Sequence, residues 1–256
     1  MFEKKYILGV GITSASKEDV LEYIVKSLEK VNEKYFIVTP NPEILVFAND
    51  DKSYKNILNK AKIALTDGVG IIFAGKLLGK QFKERVTGVD LLENLCFRIA
   101  EKPITVGFLG GRPGVAEKTA ECLIKKYPGL KVGFVGEEWP NHHFSRLPHV
   151  ASGQASSINT KYLIHNTIDV LFVAFGAPKQ EVWIDENLDK IPVKVAVGVG
   201  GAFDYISGEV KRSPVWIQNI GFEWLYRLVR QPWRIKRQFS LLKFIWLVFK
   251  ERLSKN

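Results

Sequence analysis

Polar residues follow several apolar segments of this sequence at the points where those segments end. Asp67 follows KIALT, and Thr39 and Asn41 stand in TPNPE after the apolar run YFIV. A carboxylate in such a position can act as a general base that removes a proton from a hydroxyl group, provided that its pKa lies near the working pH. It can equally cap the helix that follows. The residues alone leave both roles of Asp67 open.

The TPNPE turn is typical of a junction between a strand and a helix. Pro40 and Pro42 lack an N–H and favour extended geometry in the residue before them, so we expect the strand to end at Thr39. Asn41 is then suited to be the N-cap, with Pro42 as the first helical residue. A hydroxyl, an amide and the positive end of a helix dipole would face one side. That side suits an anionic or sugar-like ligand, although a well-formed turn needs no ligand.

Three further segments carry residues suited to binding. GFLGGRPG contains Gly110 and Gly111 and resembles a phosphate-binding turn, but it lacks the G-x-G-x-x-G spacing of dinucleotide sites. It suits either the close approach of a nucleotide diphosphate or simple tight packing. GAPKQE puts Gln180 in the first turn of a helix, where its amide could recognise a ligand or cap the helix. Arg85 lies in the polar connection KERVTGVD, where a lone arginine is usually solvated.

The sequence argues against a bound metal ion and against nicotinamide chemistry. It contains no Asp-x-Asp, the pair with which many nucleotide-sugar transferases hold a divalent ion, and His142 and His143 have no third ligand nearby. A nicotinamide-linked oxidoreductase is disfavoured because the glycine pattern is incomplete and no acid ends a second strand about 20 residues further on. We therefore expect no metal and no cofactor.

An alternation of strands and helices must bring these residues together. Strand-like runs are predicted at 7–12, 35–39, 62–66, 104–109, 131–135, 168–175 and 193–199, helices are predicted to begin at Ser16, Pro42, Val69, Val115 and Pro178, and 137–157 is predicted to be a long loop. This order predicts an α/β fold, with a Rossmann-like, largely parallel sheet and helices on both faces. Ligands of such sheets bind beyond the carboxyl ends of the strands, where the candidate residues would meet.

The C-terminal part differs in composition from the rest. Residues 211–256 hold eleven Lys or Arg against two acids, hence +9 of the net charge of +10, and four of the six tryptophans. Basic charge with interleaved aromatic residues suits nucleic acid or an anionic membrane face.

No run reaches the roughly 20 apolar residues of a spanning helix. The apolar surface expected to lie in a membrane comprises Leu241, Leu242, Ile245, Trp246, Val248 and Phe249. We therefore predict a core over 1–208, a basic amphipathic helical appendage over 209–256 on an anionic membrane surface, and no nucleic-acid partner.

Six motifs resemble the WecG/TagA/CpsF family of bacterial glycosyltransferases in their order and spacing. They are TPNPE, ALTDGVGI, ERVTGVDL, VAFGAPKQEVWI, GVGGAFDYISG and EWLYRLVRQPWRIKRQ, and the resemblance runs from about Leu8 to Gln238. It implies an inverting, metal-independent enzyme that moves a hexosamine-type sugar from a UDP-sugar donor to a polyprenyl-diphosphate-linked GlcNAc acceptor. The implied setting is cell-wall or surface polysaccharide synthesis, peripheral to the cytoplasmic face of the bacterial cell membrane. N-acetylmannosamine is the first expectation for the sugar, its uronic acid and glucose are alternatives, and a homo-oligomer is left open.

The resemblance also implies roles for individual residues. Asp67 is similar to the family's proposed catalytic base, and Arg85 to its pocket arginine. Thr39 and Asn41 match its polar pair near the sugar, and Gln180 matches the glutamine of its APKQE motif. The two prolines of TPNPE would then hold the polar pair towards the donor.

The resemblance also implies roles for arginines in the C-terminal part of the chain, and inversion has consequences for the base and the leaving group. Arg227, Arg234 and Arg237 match arginines thought to grip the lipid diphosphate. Inversion needs one in-line displacement, and therefore one base and no protein nucleophile. In the absence of a metal pair, arginines and helix N-termini would supply the countercharge for UDP.

Overall fold

The computed structural model describes residues 2–29, 33–140, 167–232 and 235–254, without the side chains of Asn219 and of residues 236–238. The described residues do not include most of the predicted loop at 137–157, the pair His142 and His143, or Arg234. Arg237 is described only as part of a helix, so its predicted contact with a diphosphate lies outside the described side chains.

Strands and helices alternate through much of the described chain, as the sequence predicted. In chain order they are β1 (Lys4–Ile7), β2 (Val10–Thr13), α1 (Lys17–Leu28), β3 (Tyr35–Val38), α2 (Pro42–Asp50), α3 (Lys52–Lys60), β4 (Ile63–Ala64), α4 (Val69–Leu77), α5 (Gly88–Ile99), β5 (Thr105–Gly110), α6 (Val115–Lys126), β6 (Lys131–Gly136), β7 (Ile168–Ala174), α7 (Lys179–Asn187), β8 (Val193–Gly198), α8 (Ala202–Ile206), α9 (Val215–Ile220), α10 (Glu223–Arg230) and α11 (Ile235–Leu253).

Six of these strands form one parallel sheet within the described ranges, in the order β4-β3-β8-β7-β5-β6. Helices cover both faces: α1, α5, α6 and α8 pack on one, and α2, α3, α4, α7 and α11 on the other. A strand covered on both sides is apolar throughout, which explains why Val170, Leu171, Phe172 and Val173 are all fully buried. The predicted α/β fold with a parallel sheet is confirmed.

The predicted first strand at 7–12 is wrong. Residues 4–13 form an antiparallel hairpin, β1 and β2, in a separate two-stranded sheet. Leu8 and Gly9 form its turn with φ values of 51° and 79°, and positive φ at both central residues is what a two-residue hairpin turn of the favoured hand requires. Leucine is uncommon in that region, so the turn had no clear sequence signal. Strand β2 lies beside β4, where Thr13 Oγ1 accepts a hydrogen bond of 3.0 Å from the Ala64 N–H.

The last helix, α11, packs on the core with one of its faces. Phe244 is 2% exposed, and Leu247 and Val248 are buried with it against α2 and α4. Val248 is therefore a core residue, contrary to its expected place on the membrane-facing surface. The Glu251 carboxylate accepts a hydrogen bond of 2.8 Å from the Leu8 N–H and fastens the helix to the β1–β2 turn. None of the helices in the described ranges is long and apolar enough to cross a membrane.

Candidate active site

A cleft of about 1480 Å³ runs along the carboxyl ends of the parallel strands. Its lining includes a residue after each of five neighbouring strands: Asp67, Thr39, Gly200, Gly176 and Gly111, which follow β4, β3, β8, β7 and β5. Neighbouring strands lie about 4.8 Å apart, so the six strand ends extend over roughly 24 Å. The topology brings the predicted residues together on one edge of the sheet.

The TPNPE turn supports the backbone of Asp67. Asn41 caps α2, and its side-chain oxygen accepts a hydrogen bond of 3.0 Å from the first turn of that helix. The Pro40 carbonyl accepts a bond of 3.2 Å from the Asp67 N–H. The Pro42 ring fills the space beside Gly70, where an added Cβ would lie 2.5 Å from the Pro42 Cγ. The two prolines therefore fix the turn that carries Asn41 and hold Asp67 in place beside it.

Thr39 and Gln180 both fasten the carboxyl end of β8. The buried Thr39 hydroxyl donates a bond of 3.0 Å to the Gly198 carbonyl. Gln180, 1% exposed, accepts a bond of 3.0 Å from the Gly200 N–H and donates one of 2.7 Å to a carboxylate oxygen of Glu181. Both side chains line the cleft. The oxygen and the nitrogen of the Gln180 amide are thus engaged within the protein, and its direct contact with a ligand stays a prediction.

Glu181 links Gln180 to the neighbouring helix α3. Its second carboxylate oxygen accepts a bond of 2.9 Å from the Tyr54 hydroxyl. Glu181 is fully buried, and burial raises its pKa. Tyr54, Glu181 and Gln180 therefore form a buried relay of hydrogen bonds that ends at the Gly200 backbone in the cleft.

The Asp67 carboxyl has an electrostatic environment suited to a general base. Gly68, with a φ of 94°, is the N-cap of α4, so the alternative that Asp67 caps this helix is wrong. Burial, together with the nearby carboxylate of Glu223, raises the pKa of Asp67 to about 7, whereas Arg85 and the Gly88 N–H act in the opposite direction. A carboxyl with a pKa near neutrality can both take up and release a proton at the working pH.

Arg85 lies beside Asp67 and is partly buried in the wall of the cleft, instead of standing in solvent. The Thr66 hydroxyl donates to the Glu84 carbonyl, and the Thr66 carbonyl accepts a bond of 3.2 Å from the Val86 N–H. Thr66, the residue before Asp67, thereby holds both neighbours of Arg85.

The two glycines of GFLGGRPG differ in environment. Both have positive φ, 95° at Gly110 and 90° at Gly111. An added Cβ at Gly110 would lie 2.7 Å from the Phe175 ring, whereas Gly111 lines the cleft. Tight packing therefore accounts for Gly110, and a contact between Gly111 and a ligand stays a prediction.

Two arginines from distant parts of the chain meet at one carboxylate in the cleft. Arg112, after β5, and Arg227, on α10, lie 3.2 and 3.3 Å from the two carboxylate oxygens of Asp204. The Arg227 guanidinium also stacks over the Tyr205 ring, 4.8 Å from its centroid. The tail thus contributes a positive charge to the same cleft as the core.

Aromatic rings line part of the cleft, and sequence reasoning missed them. Trp139 and Trp183 line the cleft with centroids 6.1 Å apart, and Phe175 contacts Trp183 edge-on at 5.7 Å. Trp139 was included in the predicted loop, although a tryptophan among polar residues was a signal of packing. Asp204 and Glu223 were also missed, although each stands within a family motif.

No group of three His, Cys, Asp or Glu that could hold a metal ion occurs among the residues that the structure describes.

Comparison with known proteins decides the class of this protein. The sequence model of the glycosyl transferase WecG/TagA/CpsF family matches residues 5–256. The chain belongs to this family. It is 34% identical over 224 residues, 87% of this chain and 82% of the relative, to the N-acetylglucosaminyldiphosphoundecaprenol N-acetyl-beta-D-mannosaminyltransferase of Bacillus spizizenii. It is 30% identical over 250 residues, 98% of this chain and 93% of the relative, to the protein of the same name from Bacillus subtilis. The glycosyltransferase class predicted from the six motifs is confirmed.

Proposed function

We propose that the protein transfers N-acetylmannosamine, with inversion, from its UDP derivative to a polyprenyl-diphosphate-linked GlcNAc acceptor, with Asp67 as the general base. The observation that carries this proposal is the Asp67 carboxyl, which lines the cleft beside Arg85 with its pKa raised to about 7. Two relatives are named as N-acetyl-beta-D-mannosaminyltransferases of N-acetylglucosaminyldiphosphoundecaprenol, which supports this sugar and this acceptor. The proposed setting is cell-wall or surface polysaccharide synthesis. N-acetylmannosaminuronic acid and glucose are the alternative donor sugars.

The aromatic and basic side chains of the cleft support one placement of the donor. The uracil ring stacks on the aromatic group formed by Trp139 and Trp183. The diphosphate lies where Arg112 and Arg227 meet, because these guanidinium groups can exchange their weak contacts with Asp204 for charge-assisted bonds to phosphate. The sugar then extends towards the end of the cleft that Asp67 occupies.

The reaction in this orientation is a single displacement. Asp67 removes the proton from the acceptor hydroxyl, the hydroxyl oxygen forms a bond to C1 of the sugar, and the bond between C1 and the UDP oxygen breaks with its electron pair leaving on UDP. Arg112 and Arg227 stabilise the charge that develops on the diphosphate. Thr39 and Asn41 line the cleft next to Asp67 and contact the sugar.

A donor screen tests the proposal. The purified protein, a polyprenyl-diphosphate-GlcNAc acceptor and EDTA are incubated with each of several UDP-sugars, and UDP release is measured. We expect release with UDP-N-acetylmannosamine in the presence of EDTA, because arginines supply the countercharge that a divalent ion supplies elsewhere. Release only with UDP-glucose or the uronic acid would favour the alternative donors. Activity that EDTA abolishes and that magnesium or manganese restores would contradict the metal-independent mechanism.

The exposed face of α11 supports a proposed contact with an anionic membrane surface, at the cytoplasmic face of the cell membrane. Apolar residues recur there at intervals of three and four, which places them on one face of the helix; they are Phe239, Leu242, Trp246, Phe249 and Leu253, all exposed. Lys250 lies over the Trp246 ring, 5.3 Å from its centroid. An apolar stripe with adjacent basic side chains is typical of helices that lie in a membrane interface.

Vesicle binding tests this contact. We expect the double variant Leu242→Ser and Trp246→Ser to lose at least about tenfold in affinity for phosphatidylglycerol vesicles, because it removes two exposed apolar anchors from the stripe. Phe97→Ser is the matched control, since Phe97 is also exposed but lies on α5. Unchanged sedimentation of the double variant with vesicles would contradict the proposal, and tight binding of an oligonucleotide in its place would favour the nucleic-acid alternative.

A further inference from the structure

The corner between α9 and α10 contacts the start of α4 directly beside Asp67. Gly221, with a φ of 82°, ends α9 and lies so close to Val69 that an added Cβ would overlap the valine side chain. Glu223 follows this corner by two residues, and Asp67 precedes Val69 by two. Both carboxylates line the same cleft.

Arg212 fixes the corner to the core. Its Nε donates a bond of 3.0 Å to Glu223 on α10, and its Nη2 lies 2.8 Å from a carboxylate oxygen of Asp90 on α5. All three side chains are partly buried. Because one guanidinium stands between two carboxylates, the group retains a net negative charge.

Three charged side chains act on Asp67 from the surrounding elements. Glu223 on α10 and Asp90 on α5 raise its pKa, and Arg85 before α5 lowers it. Among these neighbours Glu223 has the largest influence, and only Glu223 comes from the C-terminal helices.

We infer that Glu223 is a positioning residue for sugar transfer: held by Arg212 at the α9–α10 corner, it places a negative charge in the wall of the cleft that Asp67 also lines, and so adjusts the proton transfer at Asp67. The inference rests on the proposed role of Asp67 as the base. Under this inference, Asp67 has the right pKa for a base only when α9 and α10 are packed against the core. This requirement is independent of any contact that these helices make with a substrate or a membrane.

The pH dependence of kcat/KM tests the inference. Asp67 must be ionised to accept a proton, so kcat/KM falls as the pH decreases through the pKa of Asp67. Glu223→Gln removes a negative charge but keeps an oxygen that accepts from Arg212, so we expect the acidic limb of the profile to move to lower pH by about half a unit or more. Arg212→Gln removes the compensating positive charge, and the limb should move to higher pH.

Glu93→Gln is the matched control, because it removes a carboxylate from the same helix as Asp90 that is paired with Lys126 at 2.9 Å, away from the cleft. We expect its profile to equal that of the unmodified protein. An acidic limb that stays in place in Glu223→Gln, or that moves equally in Glu93→Gln, would overturn the inference while leaving the proposed function intact. Full activity of Asp67→Asn would instead overturn the role of the base itself, so the two failures are distinguishable.

Discussion

Asp67→Asn should lower the rate of sugar transfer by about 10²–10⁴-fold, the usual contribution of a positioned general base. Asparagine has nearly the same shape as aspartate but cannot accept the proton of the acceptor hydroxyl. The backbone of residue 67 is held by the Pro40 carbonyl, so the cleft should keep its form. The measurement is kcat with a saturating UDP-sugar and lipid-linked acceptor. Near-normal turnover would show that Asp67 is not the base.

A stability measurement separates lost chemistry from lost folding. The pKa of Asp67 is raised in the folded protein, so folding is favoured by the protonated carboxyl. The stabilisation that protonation provides is complete below the ordinary aspartate pKa and is lost as the pH rises through about 7. Asparagine carries no charge at any pH. At pH 8 the thermal midpoint of Asp67→Asn should therefore equal or exceed that of the unmodified protein. A lower midpoint would indicate that the activity loss reflects damage to the fold.

Phe244→Ala should lower the free energy of unfolding by about 3–5 kcal/mol, the range for removal of a fully buried phenylalanine ring. Phe244 is 2% exposed on the face of α11 that covers α2 and α4. Phe249→Ala, on the same helix but with 46% of the side chain exposed, should cost much less, about 1 kcal/mol or below. Urea unfolding followed by circular dichroism measures both variants.

The opposite ranking is expected for membrane binding. Phe249→Ala removes part of the exposed apolar stripe, so it should weaken binding to anionic vesicles more than Phe244→Ala does. Equal stability losses in the two variants would contradict the packing of α11. The same packing changes how the C-terminal part should be tested. Deleting residues after about 210 would remove the helix α11 that packs on α2 and α4, so loss of activity would not isolate a membrane role. Point substitutions on the exposed stripe avoid this difficulty.

The parts of the fold that were predictable depend on local signals. Asn41 and Pro42 make a helix start through contacts within a few residues, and the structure has that start. The parallel sheet follows from the alternation of strand and helix patterns. The hairpin at 4–13 was not predictable because its turn depends on a leucine at positive φ. The burial of Val248 depends on α2 and α4, some 200 residues earlier in the chain, which no local pattern reveals.

The candidate site likewise combines features that local sequence predicts with features that only the folded structure determines. The position of Asp67 after β4 follows from topology, but its raised pKa depends on burial in the folded protein and on Glu223, which is far away in sequence. Gln180 was expected to face a ligand because it follows a buried strand. Its bonds to Gly200 and Glu181 arise only when α7 lies beside the end of β8. Residue types and strand ends therefore predicted where the cleft is, whereas contacts across the fold decide how its groups are held and charged.

The bond between Glu251 and Leu8 joins residues at opposite ends of the described chain. Because α11 packs on α2, the buried face of α2 is not fully covered until residues near 251 have emerged from the ribosome, although α2 itself is synthesised early. A nascent chain shorter than this carries an open apolar face, and exposed apolar surface of this kind makes an incompletely folded chain prone to aggregation. Since the exposed stripe of α11 emerges at the same time as its buried face, the chain acquires the surface that we propose to contact a membrane in the same step that closes its core.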